Sequence, residues 1–465
     1  MPHLTHKCIL LLLLILQAAD ARTWTSQAGS SLEADMLKIR DGKIHLRSPG
    51  GQIFETAISN LSQEDQDHLR GGDWLSDTYG SPTAEAINDM LGFELFAGSA
   101  LWERSTDEVA DRLSWRRISK TDFMVSYQIS GRARRNSRSN EVDVHSTSAR
   151  TAFFYANTDH PDYFLVVYNS IKDVTTKPEN QRHEEELREQ LDDRIRTTSA
   201  YIQQNLTSLL GVSRKQAFYN GRREAHRMQR WDFGDSAFLL SHDEGFGLSL
   251  YIHRTQFADI NGKITFNPEK AQNWFYENVE KRENGDTVID NIPMVSQGDS
   301  GFCVPATFER YLRYIGIPAD MYTLAMLGET RIEGGTRVNK LRDETTRYLG
   351  QQGLRMRRMS SELNIKRIAE HIDQGVPLIW TMSSTKVFNQ YADNYTRDRR
   401  NGKPSSSLPE KENFVAPHTL IVTGYNEDQE SIAISDSWGS KYEERWIPLD
   451  LAKQHDLAGL FVVEF

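Results

Sequence analysis

The chain has 465 residues, enough for roughly two to four domains and a sizeable core. Lys and Arg total 55 against 65 Asp and Glu, and the resulting net charge of −10 argues against general nucleic-acid binding, which needs a basic surface to displace counterions from phosphates. Hydrophobic residues make up 38% and charged residues 26%, a globular composition; with only two cysteines, Cys8 and Cys303, a cysteine-rich zinc site and a disulfide framework are both excluded.

The first residues have the pattern of an export signal. His3, His6 and Lys7 form a mildly basic head, Ile9 to Leu16 is an unbroken apolar run, and Ala19-Asp20-Ala21 is a small-x-small cleavage pattern. Eight apolar residues rise only about 12 Å as a helix, too short for a bilayer core of about 30 Å. The expectation is cleavage near Ala21, a mature chain that starts at Arg22, and an exported protein (periplasmic, cell-surface or extracellular). Cys303 is then the one cysteine of the mature chain. An odd thiol in an oxidising compartment is either buried and inert or kept for chemistry.

Residues 22–72 read as a small β module. Trp24-Thr25-Ser26, Ala34 to Ile39, Lys43 to Arg47 and Gln52 to Ile58 are short strand-like runs, and Asp41-Gly42 and Gly50-Gly51 between them are hairpin turns. Ser62 is placed to cap a short helix with an acidic first turn. Arg22-x-Trp24-Thr25, Gly29, Ala34, Asp41-Gly42-Lys43-x-x-Leu46 and Leu61-Ser62-x-x-Asp65-Gln66 resemble the Sla-one homology domain, a small SH3-like β-barrel appended to many exported proteins of some bacterial phyla. The resemblance implies a binding or spacer role toward a protein or cell-surface ligand, and no chemistry.

Residues 73–285 are expected to form an α+β accessory domain. Phe123 to Ile129, Thr151 to Ala156 and Tyr163 to Tyr168 are strands by composition and pattern, and Phe238 to Leu240 and Leu248 to Ile252 flank a hairpin at Asp243-Glu244-Gly245. A long helix over Glu184 to Leu210 carries Leu187, Leu191, Ile195, Ile202, Leu206 and Leu209 near helical spacing. Arg132, Arg134, Arg135 and Arg138 read as a solvated loop, and no motif of chemistry occurs in this stretch.

The chemistry lies in residues 286–465. After Gln297-Gly298-Asp299-Ser300-Gly301-Phe302-Cys303 a helix follows, because Phe308, Tyr311, Leu312 and Ile315 recur at i, i+3, i+4 and i+7. Pro305 fits its first position, which puts Cys303 at a helix N-terminus, where unpaired amides and the macrodipole favour the thiolate. Gln297, six residues upstream on a glycine-containing loop, is spaced so that its amide and the Cys303 N–H can converge on one oxyanion. Pro417 to Tyr425 reads as a strand with His418 at its start. Ser431 to Asp436 returns antiparallel to it, which can place Asp436 beside His418 to fix its tautomer. Cys303, His418 and Asp436 make a complete set of nucleophile, base and orienter. His226, His242, His253, His371 and His455 have no ligand spacing, so neither a metal nor a cofactor is indicated.

The order Gln-x5-Cys, then His on a strand, then Asp436-Ser437-Trp438-Gly439, resembles the papain-like cysteine peptidases, and within them the bacteriocin-processing-peptidase-like branch. On this resemblance Gln297 is the oxyanion glutamine, Cys303 the nucleophile, His418 the base, Asp436 the orienter in place of papain's Asn, and Trp438 the tryptophan that shields the orienter–imidazole bond from water. Val304 departs from the usual Gly or Trp. A polar insertion, Lys386 to Val415, precedes the histidine and reads as a mobile lid or nicking site.

The fold class expected is a multidomain α+β chain: an N-terminal SH3-like barrel, an α+β middle domain and a C-terminal papain-like fold. The function expected is that of a secreted cysteine peptidase acting on peptide or protein substrates, without nucleic acid or a membrane span. Two alternatives are a papain-fold binding protein without turnover, and an amidase or transpeptidase acting on cell-wall peptide.

Overall fold

In a computed structural model of the protein, the described residues are 21–71, 74–129, 149–174, 176–217, 227–263, 266–298, 301–350, 352–359, 363–403, 407–410, 412 and 415–464. The expected signal segment and the Arg132–Arg138 cluster therefore lie outside the described residues. These residues form two compact units, one of residues up to 100 with 208–211, the other of 101–207 with 212 onward.

The first unit opens with five short strands, β1 (Thr23–Thr25), β2 (Ser31–Glu33), β3 (Asp35–Arg40), β4 (Lys43–Arg47) and β5 (Ile53–Ala57), arranged as a β1-β2 ribbon and a β3-β4-β5 sheet. Asp41 and Gly42 both have positive φ, the left-handed pair that a tight β3–β4 hairpin demands. Trp24, Ala34, Met36, Ile44, Leu46, Leu61 and Leu69 make the core. Ser62 caps α1 (Gln63–Gly71) by accepting from the Asp65 N–H, and the buried Asp65 carboxylate in turn accepts from the Thr25 N–H and Arg22. Two further helices follow, α2 (Trp74–Tyr79) and α3 (Pro82–Leu91), the second capped by Ser81.

In the second unit α4 (Thr106–Leu113) precedes an eight-stranded antiparallel sheet. Its strands are β6 (Arg116–Lys120), β7 (Met124–Ile129), β8 (Thr151–Asn157), β9 (Pro161–Ser170), β10 (Arg214–Ala217), β11 (Arg227–Phe233), β12 (Ser236–Asp243) and β13 (Gly247–Arg254), in the spatial order β10-β11-β12-β13-β9-β8-β7-β6. Between β9 and β10 runs α5 (Gln181–Leu210). The central strands read as apolar runs because both faces are covered. Phe153, Tyr155, Tyr163, Leu165 and Tyr251 pack on one side, while Phe154 and Phe164 stack on the other beneath Trp102 and Trp115.

After α6 (Thr255–Asp259) and α7 (Pro268–Glu277) the chain builds a second antiparallel sheet from β14 (Val279–Lys281), β15 (Thr287–Ile289), β16 (Arg355–Arg358), β17 (Leu378–Ser383), β18 (Pro417–Asn426), β19 (Ser431–Ser435), β20 (Arg445–Pro448) and β21 (Asp456–Glu464). The main path is β14-β15-β18-β17-β21-β16, with β19 and β20 continuing from β18. Its helices are α8 (Cys303–Tyr314), α9 (Met321–Leu327), α10 (Val338–Gly350), α11 (Ile365–Ile372), α12 (Lys386–Arg400) and α13 (Leu449–His455). The central helix α8 packs Phe308, Tyr311 and Leu312 into a core shared with Trp380, Leu420 and Phe461. The first sheet of this unit is joined to the helices of the second by buried hydrogen bonds, with Tyr155 Oη donating to Glu309 on α8 at 3.3 Å and Tyr251 Oη donating to Asp320, the cap of α9, at 2.9 Å.

Two local expectations change. The helix begins at Cys303 itself, so Pro305 is its third residue rather than its first; its missing N–H still falls among the amides that a helix start leaves unpaired. The first half of the expected lid is the packed helix α12, capped by Thr385 and burying Phe388, Tyr391, Ala392, Tyr395 and Thr396. Those residues follow helical spacing, but the surrounding Asp, Asn, Arg and Gln hide the apolar stripe in the sequence.

Candidate active site

Three elements converge on Cys303. It is the first residue of α8, whose preceding residue, Phe302, offers no side-chain cap, so the first amides stay available. The loop that delivers it is held by close backbone approach. A Cβ on Gly301 would lie 2.9 Å from the Gly335 Cα, and Gly298 has φ +70°, so both positions favour glycine. One turn into the helix, Thr307 Oγ1 donates to the carbonyl of Thr419 at 2.8 Å, tying α8 to β18 beside His418.

His418 is the second residue of β18, and β19 runs antiparallel to that strand, with Ile421 opposite Ser435. This register brings Asp436, the residue after β19, to His418: Nε2 lies 2.7 Å from Asp436 Oδ1. The other ring nitrogen is free of Asp436, and the Cys303 thiol lies within the influence of His418 and of the backbone N–H groups of Val304 and Thr419. The Trp438 ring stacks on the imidazole, centroids 4.8 Å apart and planes 28° from parallel. Gln297 is tied to the same turn, its N–H donating to the Ser437 carbonyl at 2.8 Å, and its buried Oε1 has no hydrogen-bond partner among the described residues.

The electrostatics favour a charged pair. Burial alone would push the Cys303 thiol up, but the hydrogen bond and charge of His418, with the two backbone amides, outweigh it and hold the thiol below its ordinary value. Burial would likewise lower His418; hydrogen bonds to Asp436 and Cys303 and their charges instead raise it to about 9. Asp436 is fully buried, which would raise it, yet His418 and Arg445 keep it below the usual carboxylate range. A thiol whose pKa falls beside an imidazole whose pKa rises is the signature of a thiolate–imidazolium pair.

His418 and Asp436 are thus hydrogen-bonded beside Cys303, with Gln297 anchored by its backbone to the turn that carries Asp436. The sequence gives no hint of Arg445. Its guanidinium donates to Asp436 Oδ2, to Asn389 Oδ1 at 3.1 Å and to Asp393 Oδ1 at 3.1 Å. A lone Arg nine positions after Asp436 reads as surface, and no local pattern marks it as buried.

These residues sit inside a segment that matches a known family. Residues 289–456 match the Peptidase_C39 like family. Residues 17–71 match the SLA1 homology domain 1. The two matches bear out the resemblances read at both ends of the chain, and the first supports a cysteine peptidase. No curated protein matches the chain. Among solved structures it is similar to the crystal structure of xylellain, a cysteine protease from Xylella fastidiosa, at 14% identity, over 44% of this chain and 91% of that one, with a TM-score of 0.28. Among the described residues no helix is long and apolar enough to cross a membrane.

Proposed function

We propose that the protein is an exported thiol peptidase that hydrolyses peptide bonds through Cys303, His418 and Asp436. The observation that carries this reading is the buried hydrogen bond between Asp436 and His418, with Trp438 stacked on the imidazole and the half-buried Cys303 thiol, whose pKa His418 lowers, at the N-terminus of α8. The Cys303 thiolate attacks the scissile carbonyl carbon and forms a carbon–sulfur bond, while charge develops on the carbonyl oxygen. The Gln297 side-chain amide and the Cys303 N–H stabilise that oxyanion. Protonated His418 gives its proton to the leaving amine as the carbon–nitrogen bond breaks. Neutral His418 then takes a proton from water, whose oxygen attacks the thioester; the acid product leaves and the ion pair is restored. Export rests on the basic head, the apolar run Ile9 to Leu16 and the Ala19-Asp20-Ala21 pattern.

The test is to incubate the full-length protein with a mixed peptide library and read new termini by mass spectrometry, beside a Cys303→Ala control. Iodoacetamide should label wild-type Cys303 rapidly near pH 6, where an ordinary thiol with a pKa of about 8.5 is almost wholly protonated. New termini that persist in Cys303→Ala, or a labelling rate no higher than that of a free thiol, would sink the reading. Protein retained in the cytoplasm with its first 21 residues intact would sink the export proposal, and a mature N-terminus away from Arg22 would sink the cleavage site.

A further inference from the structure

Asp436 has two carboxylate oxygens, and the reaction uses one. Oδ1 faces His418 Nε2; Oδ2 is taken by Arg445, the first residue of β20. The Arg445 side chain is 3% exposed and that of Asp436 0%, so both charges have left water and each needs its partner in a defined place. Arg445 is itself held from the other side by Asn389 and Asp393 of α12. The aromatic rings of Trp438 and Tyr442 lie 5.5 and 5.3 Å from its guanidinium carbon, and that same Trp438 covers His418. One planar, forked donor therefore connects α12, β20 and the turn after β19 at the oxygen that faces away from the imidazole.

We infer that Arg445 is a positioning residue of the catalytic site: by fixing Oδ2, it keeps Oδ1 in line with His418 Nε2. This inference rests on the thiol-peptidase reading and adds a fourth, indirect member to it. The fork is the decisive feature. A lysine would keep the charge, but a compact ammonium cannot hold a carboxylate, an amide oxygen and a second carboxylate in one plane. Other charges face the same group. Arg310 on α8 lies near Asp436 but spends its guanidinium on Ser435 and the Pro293 carbonyl, and Glu443 sits near Arg310. Neither makes a hydrogen bond to Asp436, so among the described residues Arg445 and His418 are the side chains that define how its carboxylate is turned.

The test follows the rate of Cys303 alkylation against pH with iodoacetate in the full chain. This anion is drawn in by the imidazolium, so its rate rises as the thiolate forms and falls as the imidazolium is lost; neutral iodoacetamide is the control. In Arg445→Lys the alkaline limb should move to lower pH by about half a unit or more, a threefold loss of imidazolium on that limb. Adding Asp436→Asn to Arg445→Lys should move the limb little beyond Asp436→Asn alone, because both act through one carboxylate. Should Arg445→Lys fail to fold, Asn389→Ala, which removes a neutral acceptor of the fork, should shift the limb in the same direction by a smaller amount. A bell-shaped wild-type profile with both limbs unmoved in the variants overturns the inference alone, even if melting temperatures fall. A wild-type profile typical of a free thiol overturns the peptidase reading and this inference with it.

Discussion

Replacing Asp436 by Asn keeps an oxygen for His418 to donate to and removes the charge, so it separates orientation from electrostatics. In the folded protein His418 is raised to about 9, first by its hydrogen bond to Asp436 against the opposing effect of burial. Two unit charges about 4 Å apart interact by about 4 kcal/mol at an effective dielectric constant of about 20. Arg445 is present in both proteins and drops out of the comparison, so the contribution of the Asp436 charge is up to about 4 kcal/mol, or about 3 pH units. The imidazolium is present below its pKa and lost above it, so the alkaline limb of kcat/KM against pH should fall from near 9 by more than one and up to about 3 units in Asp436→Asn. The acid limb, set by thiolate formation, should move far less, because Cys303 is paired with His418 and not with Asp436. The assay is hydrolysis of a peptide found in the library screen, with iodoacetate alkylation of Cys303 as the substrate-free counterpart. A folded Asp436→Asn protein whose alkaline limb stays near that of wild type would refute the electrostatic argument and leave Asp436 as an orienter only. An Asp436→Ala protein with unchanged rate and profile would remove it from the site altogether.

Cys303→Ala should abolish hydrolysis while the melting temperature stays within a few degrees of wild type, since one small half-buried side chain at a helix start carries little packing. Gln297→Ala should lower kcat by about 10²–10³, yet leave the iodoacetamide labelling rate of Cys303 near wild type, because the oxyanion is absent from that reaction. Phe388→Ala should cost about 3–5 kcal/mol in denaturant unfolding, the loss expected of a buried aromatic side chain in α12; a cost below about 0.5 kcal/mol would mean that the segment is a surface lid after all. Glu309, buried on α8, is raised to about 7 from an ordinary 4.5 chiefly by burial, so the unfolded chain ionises it earlier than the folded one. Wild type should therefore lose stability relative to Glu309→Gln as pH rises from about 4.5 through about 7, read as melting temperature against pH, and parallel curves would contradict this.

How much of this could be read in the chain depends on how far each signal has to travel. The strands that carry His418 and Asp436, the helix that starts at Cys303 and the Asp41-Gly42 hairpin are local patterns of period, turn chemistry and capping. Each appears where the sequence suggested, apart from a shift of two residues at Pro305. The sheet of the middle region was legible as strands but not as a surface, because apolar runs such as Phe153 to Ala156 do not say which neighbour covers each face. The α12 helix was lost because its buried stripe, Phe388, Tyr391, Ala392 and Tyr395, lies among charged residues that dominate composition. Arg445 was lost for a different reason. It arrives through the β19–β20 pairing, which sets it opposite Ile434, and through α12, an element whose apolar stripe is hidden among charged residues. A buried guanidinium is tolerable only when several acceptors meet it at once, and those acceptors come from positions 389, 393 and 436, which only the folded chain brings together. The candidate catalytic residues therefore leave traces at the ends of single elements. The residue that holds them in register leaves none, because its reason to be there is a convergence of elements.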